Sequence, residues 1–199
     1  MRRESSTVVV MVGPASEESL AGLAQSPNVS VARASSEPAA DSAWETGAAA
    51  MREAARRSAT YVIVPDDPLA DVAAAWSAMW DVSAGPDAAA GFELRAADTL
   101  GAWRGKRFEL PDYYLVLAPA QPAGSPDLYL GPLHSVRPRR VAVATVAGSP
   151  AAQAARLLDT LRSLEHGPWW PPLDELLDAA RRFYPGALNQ TQAPAEAGT

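Results

Sequence analysis

Apolar and polar positions alternate along the chain in two distinct rhythms. Thr7 to Val12 is a continuous β-branched apolar run, the pattern of a strand covered on both faces. Gly13-Pro14-Ala15-Ser16 breaks it, and Ser16 stands where it can cap a helix whose first turn holds Glu17 and Glu18. That helix is expected to reach Gln25, followed by a second strand over Val29–Ala34. Trp44, Ala48, Met51 and Ala55 then recur at helical spacing. Thr60–Val64 reads as a third buried strand, and Leu69, Val72, Trp76 and Met79 give another amphipathic helix. Strand and helix thus alternate three times, the signature of a parallel sheet with crossover helices.

The second half reads differently. Phe92, Ala96, Thr99 and Trp103 lie along one side of a helix that contains Gly91 and Gly101. Three strands are expected at Tyr113–Ala118, Leu128–Leu133 and Arg140–Val146, with a proline-rich loop from Pro119 to Asp127 before the second. Short connections between such runs favour antiparallel neighbours. Pro150 opens a helix with Leu157, Leu158, Leu161 and Leu164 as its stripe, and Leu173, Leu176, Leu177, Ala180, Phe183 and Tyr184 mark a last one. The expected fold is therefore a three-layer α/β sandwich. A parallel N-terminal (β-α)3 half continues into an antiparallel C-terminal half, with helices on both faces. Residues 1–6 read as frayed, 7–186 as a single α/β domain and 187–199 as a disordered tail.

Composition narrows the chemistry. The chain has 199 residues with no cysteine and two histidines, His134 and His166, which excludes disulfides, thiolate metal sites and a cysteine nucleophile. A formal net charge of −6 argues against nucleic acid as a partner. The longest N-terminal apolar run is too short for a signal peptide or a membrane span, so a cytoplasmic location and no membrane are expected. Lys106 is the single lysine against sixteen arginines, and alanine fills about a fifth of the chain. This is the usage of a GC-rich bacterial genome, which weakens any argument from arginine enrichment.

Ligands of parallel α/β sheets sit at the carboxyl ends of the strands. Three turns qualify there, of which Gly148-Ser149-Pro150 repeats the geometry of the first and reads as a standard helix start with Ser149 before Pro150. Gly13 to Ser16 could hold an anion on backbone amides, although the G-x-x-x-x-G-K-[ST] and G-x-G-x-x-G patterns are absent and a plain capped turn explains it. Asp66 and Asp67 follow a buried strand and could bind magnesium or act as acid and base, while Asp67 before Pro68 is equally placed to cap the next helix. His134 and Arg137 lie in a basic loop that could grip a phosphate or carboxylate, or simply face solvent. Trp169-Trp170 between prolines either staples the last helix to the body or presents a docking surface. No G-x-S-x-G elbow or other recognised catalytic motif occurs, and the cofactor is unknown at this stage. The leading expectation is a non-catalytic module with a protein partner docking at Trp169 and Trp170. The alternative is a small enzyme or sensor that takes an anionic, phosphate-bearing ligand at the strand ends through Gly13, Ser16, Asp66 and Asp67.

Overall fold

A computed structural model describes residues 6–13, 16–34, 42–80, 87–118, 127–145 and 147–183. Of the residues expected to be frayed (1–6), 1–5 lie outside the described residues, as do the expected tail (187–199) and most of the proline-rich loop (119–126). Among the described residues five strands form one sheet: β1 (Thr7–Val12), β2 (Val29–Val31), β3 (Tyr61–Val64), β4 (Tyr113–Ala118) and β5 (Val141–Thr145), in the order β2-β3-β1-β4-β5. Every neighbouring pair is parallel.

The expected antiparallel half is thus corrected. Leu128–Leu133 is not a strand: Tyr129–Leu133 winds as a π-helical turn and runs into one short helical turn, His134–Val136. The reason is local. Asp127 accepts hydrogen bonds through Oδ1 from the backbone N–H of Tyr129 (2.7 Å) and of Leu130 (3.2 Å), so it starts a helix instead of letting the chain extend. With that strand removed, the whole stretch from Ala118 to Val141 becomes one connection. It is long enough for the crossover that parallel strands need.

The helices flank the sheet unequally. The face carrying Val8, Val10, Val62, Val64, Tyr114 and Val116 is covered by α2 (Ala43–Ala54), α3 (Ala70–Ala78), α4 (Asp87–Arg104) and a final helix, Leu173–Phe183. The opposite face, with Val9, Met11, Ile63, Leu115 and Leu117, is covered by α1 (Glu17–Ala24) and the helix Pro150–Arg162. Taking His134–Val136 as α5 makes these last two helices α6 (Pro150–Arg162) and α7 (Leu173–Phe183). Side chains alternating between two buried faces explain why β1 and β3 read as unbroken apolar runs.

Polar bonds fix the remaining pieces. Asp112 joins β4 to β1: its carboxylate accepts from Val8 N–H at 2.7 Å and its own N–H donates to Val8 O at 2.8 Å. Arg181 of α7 makes a two-pronged pair with Glu93 of α4, at 2.9 and 2.7 Å. Among the described residues no helix is long and apolar enough to cross a membrane.

Helix α2 rests directly on the turn that follows β3. A Cβ added to Gly47 would lie 2.5 Å from the backbone nitrogen of Pro68 and 2.6 Å from its Cα, both backbone atoms that cannot step aside. Gly47→Ala is expected to cost about 1–3 kcal/mol through overpacking, more than any helix propensity it gains. Urea unfolding of the variant against wild type measures this; equal midpoints would contradict it.

Candidate functional site

The order β2-β3-β1-β4-β5 reverses direction at β1. The chain leaves β1 through α1 on one face, whereas the connections that follow β2 and β3 use the other face. The carboxyl ends of β1, β3 and β4 therefore border a topological switch, where open α/β sheets accommodate ligands. Gly13, Ser16, Asp66 and Asp67 all lie at this end, because each follows β1 or β3 within a few residues.

Each of them already has a structural task. Gly13 adopts φ +110°, and a Cβ there would come within 2.9 Å of the Leu117 carbonyl oxygen, so β4 packs where a side chain would stand. Ser16 is the N-cap of α1: its Oγ accepts from Ser19 N–H at 3.1 Å. Asp66 Oδ2 accepts from the backbone N–H of Ala34 at 3.0 Å, tying the ends of β2 and β3 together. Asp67 Oδ1 accepts from Leu69 N–H at 2.9 Å, an Asx turn that shapes the approach to α3, whose N-cap position is Leu69 and carries no side-chain cap bond.

A second helix begins beside the first. Ser149 caps α6, its Oγ accepting from Ala152 N–H at 3.4 Å, and Gly148 before it has φ +84°. The two turns are wired together: Ser19 Oγ donates to Gln153 Oε1 at 2.7 Å, and Gln153 Nε2 donates to the Gly148 carbonyl at 3.1 Å. Two helix N-termini thus meet on one face at the switch end of the sheet. Glu17 and Glu18 occupy the first turn of α1, with Arg33 binding Glu17 at 2.6 Å, while the first turn of α6 holds no acid. The positive end of the α6 dipole is the less neutralised of the two.

Asp67 also takes part in a buried cluster not evident from the sequence. Its Oδ2 accepts a hydrogen bond from the Tyr129 hydroxyl on the π-helical turn. The Tyr114 hydroxyl is near enough to be perturbed by the same carboxylate, yet it is buried without completing a hydrogen bond of good geometry. The Tyr114 and Tyr129 rings meet at a tilt with centroids 5.1 Å apart, and Trp170 meets Tyr114 edge-on at 5.7 Å. Burial pushes the Asp67 carboxyl up from 3.8 to about 6; the hydrogen bonds from Tyr129 and Leu69 and the nearby Tyr114 hydroxyl work against the rise, and the charge of Asp127 adds to it. Both tyrosines are held well above their ordinary range, first by burial and then by the Asp67 charge. No cation pairs with Asp67 among the described residues.

The other candidates gather elsewhere. His134 is exposed on α5, and Arg137 is held by backbone, its Nε donating to the Trp169 carbonyl at 2.6 Å and Nη1 to the Val136 carbonyl at 2.9 Å. Trp170 is buried at 5% exposure and donates its indole N–H to the Pro111 carbonyl at 2.8 Å. Trp169 is 44% exposed, with its ring 4.8 Å from the Arg140 guanidinium. Arg140 is the residue that the sequence did not single out. It lies between the Tyr113 and Trp169 rings and donates to the carbonyls of Asp112, Gly167 and Pro168 at 3.2, 2.7 and 3.1 Å. The Trp-Trp-Pro-Pro segment is therefore stapled to the amino-terminal side of the sheet. Among the described residues no group of three or more acidic or histidine side chains gathers as a metal site.

Of the missed residues, Asp127 and Tyr129 had a usable signal. An Asp two positions before Tyr129, followed by Gly131-Pro132, has the makings of a capped helical turn. Arg140 and Tyr114 had none, since their partners are far away in sequence. Comparison with protein-family models, with curated proteins and with solved structures finds no match to this chain. What the chain shows is a Rossmann-like parallel sheet flanked by helices, an architecture that serves both ligand-binding enzymes and interaction modules.

The Asp67 environment carries a definite pH signature. Its carboxyl is raised in the folded protein, so its contribution to stability is full below about pH 4 and is lost as pH rises through about 6. The difference is about 3 kcal/mol. Asp67→Asn, neutral and of the same shape, is expected to remove this fall. In urea unfolding, the stability of the variant relative to wild type should rise by about that amount between pH 4 and pH 7. A difference that stays level across this range would refute the assignment.

Proposed function

We propose that the protein is a binding module, without chemistry of its own, for a small phosphate-bearing ligand at the carboxyl end of its sheet. The observation that carries this reading is the pairing of two capped helix N-termini, α1 and α6, through Ser19 and Gln153 at a topological switch. Backbone amides and aligned dipoles at such ends favour anions. The α6 turn, Gly148-Ser149-Pro150, has no carboxylate in its first turn to compete. Asp66, half-buried, follows β3 at the same end of the sheet.

Binding without catalysis follows from how the polar residues are used. Ser16 is consumed as a cap, Asp67 is taken up by Leu69 and Tyr129 and Asp66 holds Ala34, which leaves no nucleophile beside a base among the described residues at this end. A docking module built on Trp169 and Trp170 has weaker support. Trp170 belongs to the core, and Trp169 is committed to Arg140.

Thermal-shift measurements with inorganic phosphate, nucleoside diphosphates and sugar phosphates, each with and without magnesium, test the proposal. A ligand at 100 times its Kd adds about 2.7 kcal/mol of stability. Ser149→Asp keeps a good N-cap but places a negative charge on the dipole, so it is expected to weaken the shift while leaving the unliganded protein folded. Stabilisation by none of these ligands, or a shift indifferent to Ser149→Asp, would overturn the reading.

A further inference from the structure

The connection between β4 and β5 is anchored in an unusual way. Its π-helical turn, Tyr129–Leu133, closes with Leu133 N–H donating five residues back to Leu128 O at 3.1 Å, and it contains Pro132, which has no N–H to give. Such a turn has little internal strength, being short and incompletely bonded. Apolar contacts of Leu128, Pro132 and Leu133 hold it down, together with one polar tie, the Tyr129 hydroxyl on Asp67. The tie joins three separate elements: the turn after β3 through Asp67, the connection through Tyr129, and β4 through Tyr114, whose ring packs at a tilt against Tyr129.

The groups facing Asp67 are all neutral donors or an acid. The β3–α3 turn supplies the Leu69 N–H, β4 supplies the Tyr114 hydroxyl, and the connection supplies the Tyr129 hydroxyl and the charge of Asp127. An ionised Asp67 therefore sits buried with hydrogen bonds but no counter-charge, an arrangement that burial disfavours. A protonated Asp67 removes the charge and can donate a hydrogen bond of its own. The buried Tyr114 oxygen, without a partner of good geometry, is the acceptor at hand. The cluster is better satisfied with the additional proton than without it.

We propose that Asp67, Tyr129 and Tyr114 form a proton-closed latch that docks the connection Tyr129–Val136 onto the sheet in acid and lets it lift locally as the carboxyl ionises. In the lifted state Asp67 reaches water and regains an ordinary carboxylate affinity for protons. Below about pH 4 the latch is shut in both respects. Between about pH 4 and 6 the opening equilibrium climbs tenfold per pH unit, and it levels off above about 6. The total change is about a hundredfold between pH 4 and pH 7. The latch stands whether or not a phosphate ligand binds at the strand ends, since none of its members belongs to the α6 turn.

Hydrogen exchange of the full chain, corrected for intrinsic rates and followed under conditions that report opening equilibria, reads this directly. Amides of residues 128–136 are expected to open far more readily than those of β1, with the hundredfold pH dependence. Asp67→Asn should flatten the profile. Tyr129→Phe removes a donor that favours the ionised carboxyl, so it should move the plateau to higher pH, and Tyr114→Phe should move it the same way by less. Exchange of 128–136 only at the rate of β1 would overturn the proposal, as would a wild-type profile varying less than twofold or a plateau that Tyr129→Phe moves downward. Because the wild-type profile is decisive alone, a variant that fails to fold does not shelter the idea.

Discussion

The central strand β1 is enclosed on four sides, and that enclosure organises the molecule. Val8, Val9, Val10 and Met11 are all buried, alternately toward the two helical layers, while β3 and β4 occupy both hydrogen-bonding edges. A strand without water on any side must have its backbone groups paired by neighbours. Once those neighbours are parallel, each must be reached by a crossover lying on a face of the sheet. The layer of α1 and α6, the layer of α2, α3, α4 and α7, and the gathering of loops at one end all follow from this constraint.

Polar residues then do the locating that apolar burial cannot do. Asp112 sets the start of β4 against β1, and Asp66 ties β2 to β3. Arg140 fastens the segment before α7 by giving its guanidinium to three carbonyls while two aromatic rings cover its faces. Arginine suits this role because its planar fork can bond in plane and stack out of plane together. Asp67 differs from these in being enclosed, and enclosure turns a locating residue into one whose charge matters to folding.

The two ends of the sheet consequently differ in character. The amino-terminal side is closed by Trp169, Arg140, Tyr113 and the Trp170–Pro111 bond. The carboxyl side collects capped helix starts with positive-φ glycines. This division is common to parallel α/β proteins, where one end carries stability and the other carries recognition.

Local chemistry was sufficient to specify several features. Unbroken β-branched runs marked β1 and β3 because strands buried on both faces need no polar side chains, and Ser16 and Ser149 announced helix starts because a cap acts within three residues. The direction of β5 and the Asp67–Tyr129–Tyr114 cluster were decided elsewhere. Apolar residues at 128–133 satisfy a strand or a buried helical turn equally well, and only the cap from Asp127 and the packing beneath it select the turn. The cluster joins residues from the turn after β3, from β4 and from the connection beyond it, so its burial and its shifted proton affinity exist only once the chain has folded. The sequence determined the elements with local causes; the tertiary structure decided their direction and their electrostatics, because both depend on partners brought together across long stretches of chain.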